Sequence, residues 1–252
     1  MKEFKSFRWN HLRYINLFLI VFFVIIFFVP ACKKADHKPA EPSWKLVLQD
    51  DFSGNEVDQR KWSLYSSPGN SGFGLRRPEA FSVVDGNLVI TAQMVGSDLV
   101  SGGMCQKFSL TYGKYEFRVR TENDPSQATS GVILTWPESQ RCPEDGENDM
   151  YETGTEVNRS FTTYIHYGTS LSTQYLWAHK VDATQWHIVG MEWTADSIKI
   201  FRDGELVWFV SDQAAIPDVP HIFCVQLDAW KPAMTGVVKM YVDWVKVYSL
   251  EN

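Results

Sequence analysis

The chain is short of charge, of cysteine and of helix-forming pattern. Only 21% of its 252 residues are Asp, Glu, Lys or Arg, and four are Cys. No CxxC pair and no His/Cys cluster occurs, so nothing in the sequence reads as a zinc or iron site. Beyond the N-terminal segment there is no long amphipathic helical pattern, no repeat and no internal linker. Cationic clusters are also missing. The formal net charge is −6, and residues 1–31 carry Lys2, Lys5, Arg8 and Arg13 against Glu3, so the rest of the chain nets −9. Phosphate binding needs clustered Lys and Arg, so a nucleic-acid partner is excluded. What the chain has in quantity is apolar and aromatic surface, at 44% hydrophobic residues with ten Trp, ten Tyr and sixteen Phe. That is enough to bury a core, so the bulk of the chain is not disordered. Aromatics in an acidic protein suit sugar-binding clefts as well as β-rich cores.

The first 13 residues are basic, and residues 14–29 are nearly all apolar. A basic start, a short apolar run and small residues lay out a signal peptide over 1–31. The following Val29-Pro30-Ala31-Cys32 resembles a bacterial lipobox, with Cys32 as the lipidated residue. An uncleaved anchor helix and plain secretion are the alternatives, and all three place the rest of the chain outside the cytoplasm. Residues 32–43 read as a polar tether, and folded sequence is expected over 44–252. Cys105 and Cys142 flank expected strands and are candidates for a disulfide in such a compartment. Cys224, in an apolar run, reads as buried.

From Trp44 onward short alternating strands are separated by turns. Asp85-Gly86 and Asp203-Gly204 are placed to turn hairpins. Such a pattern predicts one all-β domain, a sandwich or barrel. Trp193, Trp208 and Trp244 stand in alternating strands and read as core.

The chemistry is concentrated in Gly146-Glu147-Asn148-Asp149-Met150-Tyr151-Glu152. Along a strand, residues two apart share a face, so Glu147 and Asp149 point together. Strict alternation would send Glu152 the other way. One extra residue, a β-bulge at Met150 or Tyr151, returns it to their face. The Glu147 and Glu152 Cα atoms are then about 13 Å apart, and side chains leaning inward close the carboxylate gap to roughly 5–6 Å. Retaining glycosidases need about 5–5.5 Å and inverting ones about 6.5–9.5 Å. Three carboxylates on one face also raise at least one pKa, as a general acid requires. A solvated acidic edge or a calcium site is the bland alternative.

At these residues the chain resembles glycoside hydrolase family 16, the laminarinase and lichenase group. Glu-x-Asp-x-x-Glu after Gly146 is similar to the family signature, and collinear similar blocks span residues 46–248. These include Leu48–Gly54, Asp85–Leu88, Tyr112–Arg118, Trp186–Trp193, Phe201–Gly204 and Met240–Tyr248. The resemblance implies a concanavalin-like β-jelly roll of two bent antiparallel sheets with a cleft on the concave face. It implies endo-hydrolysis of a β-linked polysaccharide with retention, by Glu147 as nucleophile, Asp149 as its partner and Glu152 as acid/base. No cofactor is then required, and the enzyme acts as a monomer on a polysaccharide. A lectin-like jelly roll and a transglycosylase are the alternatives. Trp136, His166, Trp177, Trp230 and Arg77, with its neighbour Arg76, are the candidate sugar-binding residues. Asp51, Gly86 and Asp243 are candidates for a structural calcium ion. The sequence departs from the family at Asn148, where an aliphatic residue is usual, and in having Leu134 near the place of a customary Trp, with Trp136 two further on.

Overall fold

A computed structural model describes residues 42–251; the apolar N-terminal segment, Cys32 and most of the tether lie outside the described residues. The described chain runs through β1 (Trp44–Asp50), β2 (Trp62–Leu64), β3 (Ser67–Pro68), β4 (Leu75–Arg76), β5 (Phe81–Val84), β6 (Asn87–Val95), β7 (Asp98–Gln106) and β8 (Gly113–Thr121). It continues through β9 (Thr129–Pro137), β10 (Glu147–Thr153), β11 (Phe161–His166), β12 (Gln174–His179), β13 (His187–Trp193), β14 (Ile198–Arg202), β15 (Glu205–Val210), β16 (His221–Ala229) and β17 (Val237–Leu250). Helix is confined to three short 3-10 turns among these residues, one of them at Gln213–Ala215.

The strands form two antiparallel layers of a jelly-roll sandwich. One layer runs β2-β7-β16-β9-β10-β11-β12. The other runs β5-β6-β17-β8-β13-β14-β15, with β1 on the same side of β17 as β6. Strand β7 joins the layers: its first half pairs with β6 and its second half with β16. The Asp85-Gly86 and Asp203-Gly204 hairpins form as the sequence suggested, all four residues taking positive φ.

Alternation decides what is buried. On β8, Tyr115, Phe117 and Val119 are fully buried while the residues between them face out. Across the sandwich they meet Phe223, Val225 and Leu227 of β16, and Tyr115 stacks on Phe223 at 5.6 Å. The other face of the first layer carries a separate apolar floor of Val132, Leu134 and Cys224, flanked by Cys105, Trp136 and Ile222. Cys224 is thus buried as expected, at 2% exposure, but on the side away from the main core.

Trp244 is a correction. Against β8 the register of β17 slips between Val242 and Trp244, so Val238, Met240 and Val242 are buried and then Val245 and Val247. The slip throws Trp244 out of phase with the core, and Lys246 Nζ lies 5.0 Å from its ring. Trp193 is fully buried as expected, and Trp208 packs on the core's edge.

Candidate active site

Strand β10 carries the bulge that the carboxylate spacing called for. Asp149 lies opposite Leu134 and Tyr164, and Glu152 opposite Val132 and Thr162. Three steps along β10 therefore match two on each neighbour, with the slip against β9 between Asp149 and Tyr151, at Met150. Met150 and Tyr151 both drop into the main core. Glu147, Asp149 and Glu152 then face His166, Tyr164 and Thr162, every second residue of β11, and so share one face. Gly146, just before them, has φ +81°, and a Cβ there would come within 2.4 Å of Pro217. A substitution would push β10 off its start.

The three carboxylates lie close enough to compete for protons. An oxygen of Glu147, one of Asp149 and a ring nitrogen of His166 lie within 4.8 Å of one another. Burial, then the neighbouring Asp149 charge, pushes Glu147 up to about 8. Burial, then Glu147, pushes Glu152 up to about 7. Asp149, almost wholly buried, is raised well above the usual carboxylate range by burial and by Glu152. The three titrate as a set, so the order of the two Glu values assigns no role by itself.

His166 Nδ1 lies 3.3 Å from the Leu171 carbonyl, which only accepts, so Nδ1 carries the hydrogen. Nε2 is then left to share a proton with Asp149 Oδ2 at 3.2 Å. His166 is therefore brought to the site, through Asp149.

Cys142, read from the sequence as a disulfide candidate, is instead a partner of the nucleophile candidate Glu147. Its thiol donates to Glu147 Oε2 at 3.1 Å. The expected Cys105–Cys142 disulfide is thereby overturned: Cys105, Cys142 and Cys224 are all free, and Cys105 stands opposite Cys224 on adjacent strands. Local sequence showed that Cys142 precedes the acidic run. Nothing in it showed that the loop folds back beside Glu147. Ser139 and Arg141 hold that loop by bonding Asp145.

Asn148 faces the core, as the strand pattern required. Its Nδ2 donates to Thr135 Oγ1 at 2.9 Å, and Thr135 Oγ1 is 3.1 Å from His221 Nδ1. His221 Nε2 donates to the Asp145 carbonyl at 2.9 Å, so Nδ1 accepts from Thr135 in the neutral ring. Burial holds the His221 pKa down, which favours that neutral form. This chain ties β10, β9 and β16 to the loop before Glu147. Asn148 Oδ1 has no partner. Thr135→Val, of equal volume, is expected to destabilise the protein by about 1–3 kcal/mol, because the Asn148 amide and His221 Nδ1 are left unpaired. Asn148→Val removes an already unpaired oxygen and is expected to change stability by less than about 1 kcal/mol. Thermal unfolding of the two variants checks the contrast.

The other candidates divide. Trp136 lies half-buried beside Leu134 and Ile222 on the carboxylate face, with Nε1 donating to Gln140. Trp177 lies opposite Thr163 on the reverse face of the layer, not beside Tyr164 or His166, so the register removes it from the site. It is exposed because β12, paired with β11 alone among the described strands, is the layer's edge. Trp230 follows β16 immediately and is 42% exposed at the rim of the layer. Arg77 is spent on the carbonyls of Ser67 and Arg76. Arg76 reaches the face instead, gripping Asp228 through Nε and Nη2 at 2.7 and 2.9 Å and covering the Tyr65 ring. Tyr65 packs against Gly103, where a Cβ would come within 2.5 Å of the ring.

The calcium positions come to one corner, because β17 leaves β6 at Val242 and meets β1 at Val245, with Asp243 between. Arg118 Nη1 there donates to Asp243 Oδ2 at 2.5 Å, and Asp51 accepts from Gln49. The Arg118 guanidinium thus supplies Asp243 with the charge that a cation would bring. No step of the chemistry depends on such an ion.

The sequence pattern of Glycosyl hydrolases family 16 matches residues 75–246. The chain is 25% identical over 228 residues to Glucan endo-1,3-beta-glucosidase A1 of Niallia circulans, covering 73% of this chain and 32% of that protein. It is 27% identical over 212 residues to Beta-glucanase of Rhodothermus marinus, covering 73% of this chain and 72% of that one. It thus spans about a third of the first relative and nearly three quarters of the second. Among solved structures, the catalytic domain of an endo-1,3-beta-glucanase (laminarinase) from Thermotoga petrophila superposes with TM-score 0.72 at 21% identity, covering 84% of this chain and all of that one.

Proposed function

Because the chain belongs to family 16 of the glycosyl hydrolases, we propose that it is a retaining, endo-acting hydrolase of a β-linked glucan, β-1,3 or mixed-linked. The observation that carries this reading is the β10 bulge, which sets Glu147, Asp149 and Glu152 on one face. Glu152 protonates the glycosidic oxygen as Glu147 attacks the anomeric carbon. The sugar is then covalently held on Glu147. Glu152, now a carboxylate, takes a proton from water, and the hydroxide displaces Glu147. Cys142 holds Glu147 Oε2, leaving Oε1 to attack. Asp149 and His166 keep a proton beside the nucleophile.

A neutral substrate fits the electrostatics. The face carries Glu147, Asp149, Glu152 and Asp228, and the guanidinium of Arg76 is already neutralised by Asp228. A sulfated galactan would meet like charge. Support for an exported, lipid-anchored protein comes from the layout of residues 1–32, with Cys32 as the anchor. The enzyme is read as a monomer.

Incubation with laminarin, lichenan, agarose and carrageenan tests the activity. Oligosaccharides of mixed length from laminarin or lichenan are expected. Binding without cleavage would turn the reading to a lectin, and release of monosaccharide alone would contradict endo action. Trp136→Ala is expected to raise KM about tenfold, by loss of an apolar platform for a sugar ring. Trp177→Ala is expected to leave KM unchanged, and initial-rate kinetics on the cut glucan decide both.

A further inference from the structure

We propose that Cys105 and Cys224 form a dithiol on the floor of the carboxylate face that closes to a cross-strand disulfide. The two residues stand directly opposite each other on β7 and β16. Facing residues of an antiparallel pair have Cα atoms about 4.5–5.5 Å apart, inside the roughly 4.4–6.8 Å that a disulfide spans. Both side chains lie on the face away from the main core, in the apolar floor beside Leu134. No backbone movement is needed to join them.

The pair is asymmetric in the way that thiol exchange requires. Cys105 is half-exposed and Cys224 is 2% exposed. Hydrogen bonds, from Cys224 first, bring the Cys105 thiol down to about 7, so a substantial thiolate fraction exists at neutral pH. Burial pushes Cys224 up, and Tyr65 donates its hydroxyl to Cys224 Sγ at 3.3 Å. Cys105 is therefore the attacking thiol and Cys224 the resolving one. Cys142 is bonded to Glu147 and takes no part.

The oxidant is a low-molecular-weight disulfide. The Cys105 thiolate attacks one of its sulfurs, breaking the reagent's S–S bond and releasing one thiol. The Cys224 sulfur then attacks Cys105 Sγ in the mixed disulfide, forming the protein S–S bond and releasing the second thiol. The two protein thiol protons end on the two released thiols, and the two electrons lost by the protein reduce the reagent. Across the layer the residues run Tyr164, Asp149, Leu134, Cys224, Cys105 and Ser63, so the bridge lies in line with the central carboxylate.

The test is incubation of the full chain, in mild detergent, with oxidised glutathione at pH 8, then alkylation and non-reducing peptide mapping by mass spectrometry. The expected product is a peptide pair joined through Cys105 and Cys224, lacking two hydrogens and restored by dithiothreitol. Its closed loop is long, so Tm is expected to rise by about 5–10 °C on oxidation. Cys105→Ser, changed at a half-exposed site, is expected to abolish the link and the Tm rise together. A lasting glutathione adduct on Cys105, a link through Cys142 or Cys32, or two thiols that stay alkylatable would overturn the proposal.

Discussion

Glu147→Gln is expected to lower kcat on the cut glucan by about 10³-fold or more, with KM changed by less than about threefold. The amide cannot form the glycosyl ester, whereas its shape and its place on β10 are kept. The interaction lost belongs to the transition state, so the loss falls on kcat. Glu152→Gln is expected to fail on the same glucan to a similar degree, but for a different reason. Its lost proton donation matters for a sugar alkoxide leaving group and much less for an acidic phenol. An activated aryl β-glycoside is therefore expected to recover much of its rate with Glu152→Gln and little with Glu147→Gln. Equal recovery in both variants would refute the division of roles. In the unaltered enzyme the rate is expected to pass through a maximum between about pH 7 and 8, because the reaction needs one Glu ionised and the other protonated while Glu147 is raised to about 8 and Glu152 to about 7.

Stability gives the second large effect. An unfolded Glu titrates near 4.5, whereas Glu147 in the folded protein titrates near 8, chiefly through burial. Between those values the folded chain holds the proton more firmly than the unfolded one. The stabilising contribution is whole below about pH 4.5 and is lost as pH rises toward 8. Glu152, raised to about 7, adds a loss of the same sign ending about one pH unit lower. Glu147→Gln is uncharged at every pH and escapes its part of the loss. It is expected to match the parent's stability near pH 4.5 and to exceed it by roughly 4–5 kcal/mol at pH 8.5, each pH unit between 4.5 and 8 being worth about 1.4 kcal/mol. Urea unfolding at the two pH values reads the difference directly. A parallel pH dependence in parent and variant would show that Glu147 is not buried in a crowded carboxylate set.

Much of this site was legible in the chain because it is local. Glu147, Asp149 and Glu152 lie within six residues, and the period-two rule of a strand forces the inference of a bulge, which lies at Met150. By the same rule Asn148, between Glu147 and Asp149, falls on the core side, where it is fully buried. What the sequence hid depends on long-range register. The pairing of Cys105 with Cys224 arises because β7 and β16 are neighbours, though distant along the chain. Trp177 shares its composition and its half-exposure with a sugar platform, and the register alone puts it behind the layer. Arg76 and Arg77 are adjacent and chemically alike, and strand parity sends one to Asp228 and the other to loop carbonyls. Trp244 failed as a core residue because one slipped position in β17 reverses every inward and outward assignment after it.

The central claim is that the three carboxylates of β10 perform a double displacement with retention. Proton NMR of the first products released from laminarin or lichenan tests it most directly, read before mutarotation mixes the anomers. The new reducing ends are expected to form as the β-anomer and then relax toward the equilibrium mixture, with no signal from Glu147→Gln. New ends appearing first as the α-anomer would mean direct attack by water, a wider carboxylate gap than the bulge allows, and a different role for Glu147.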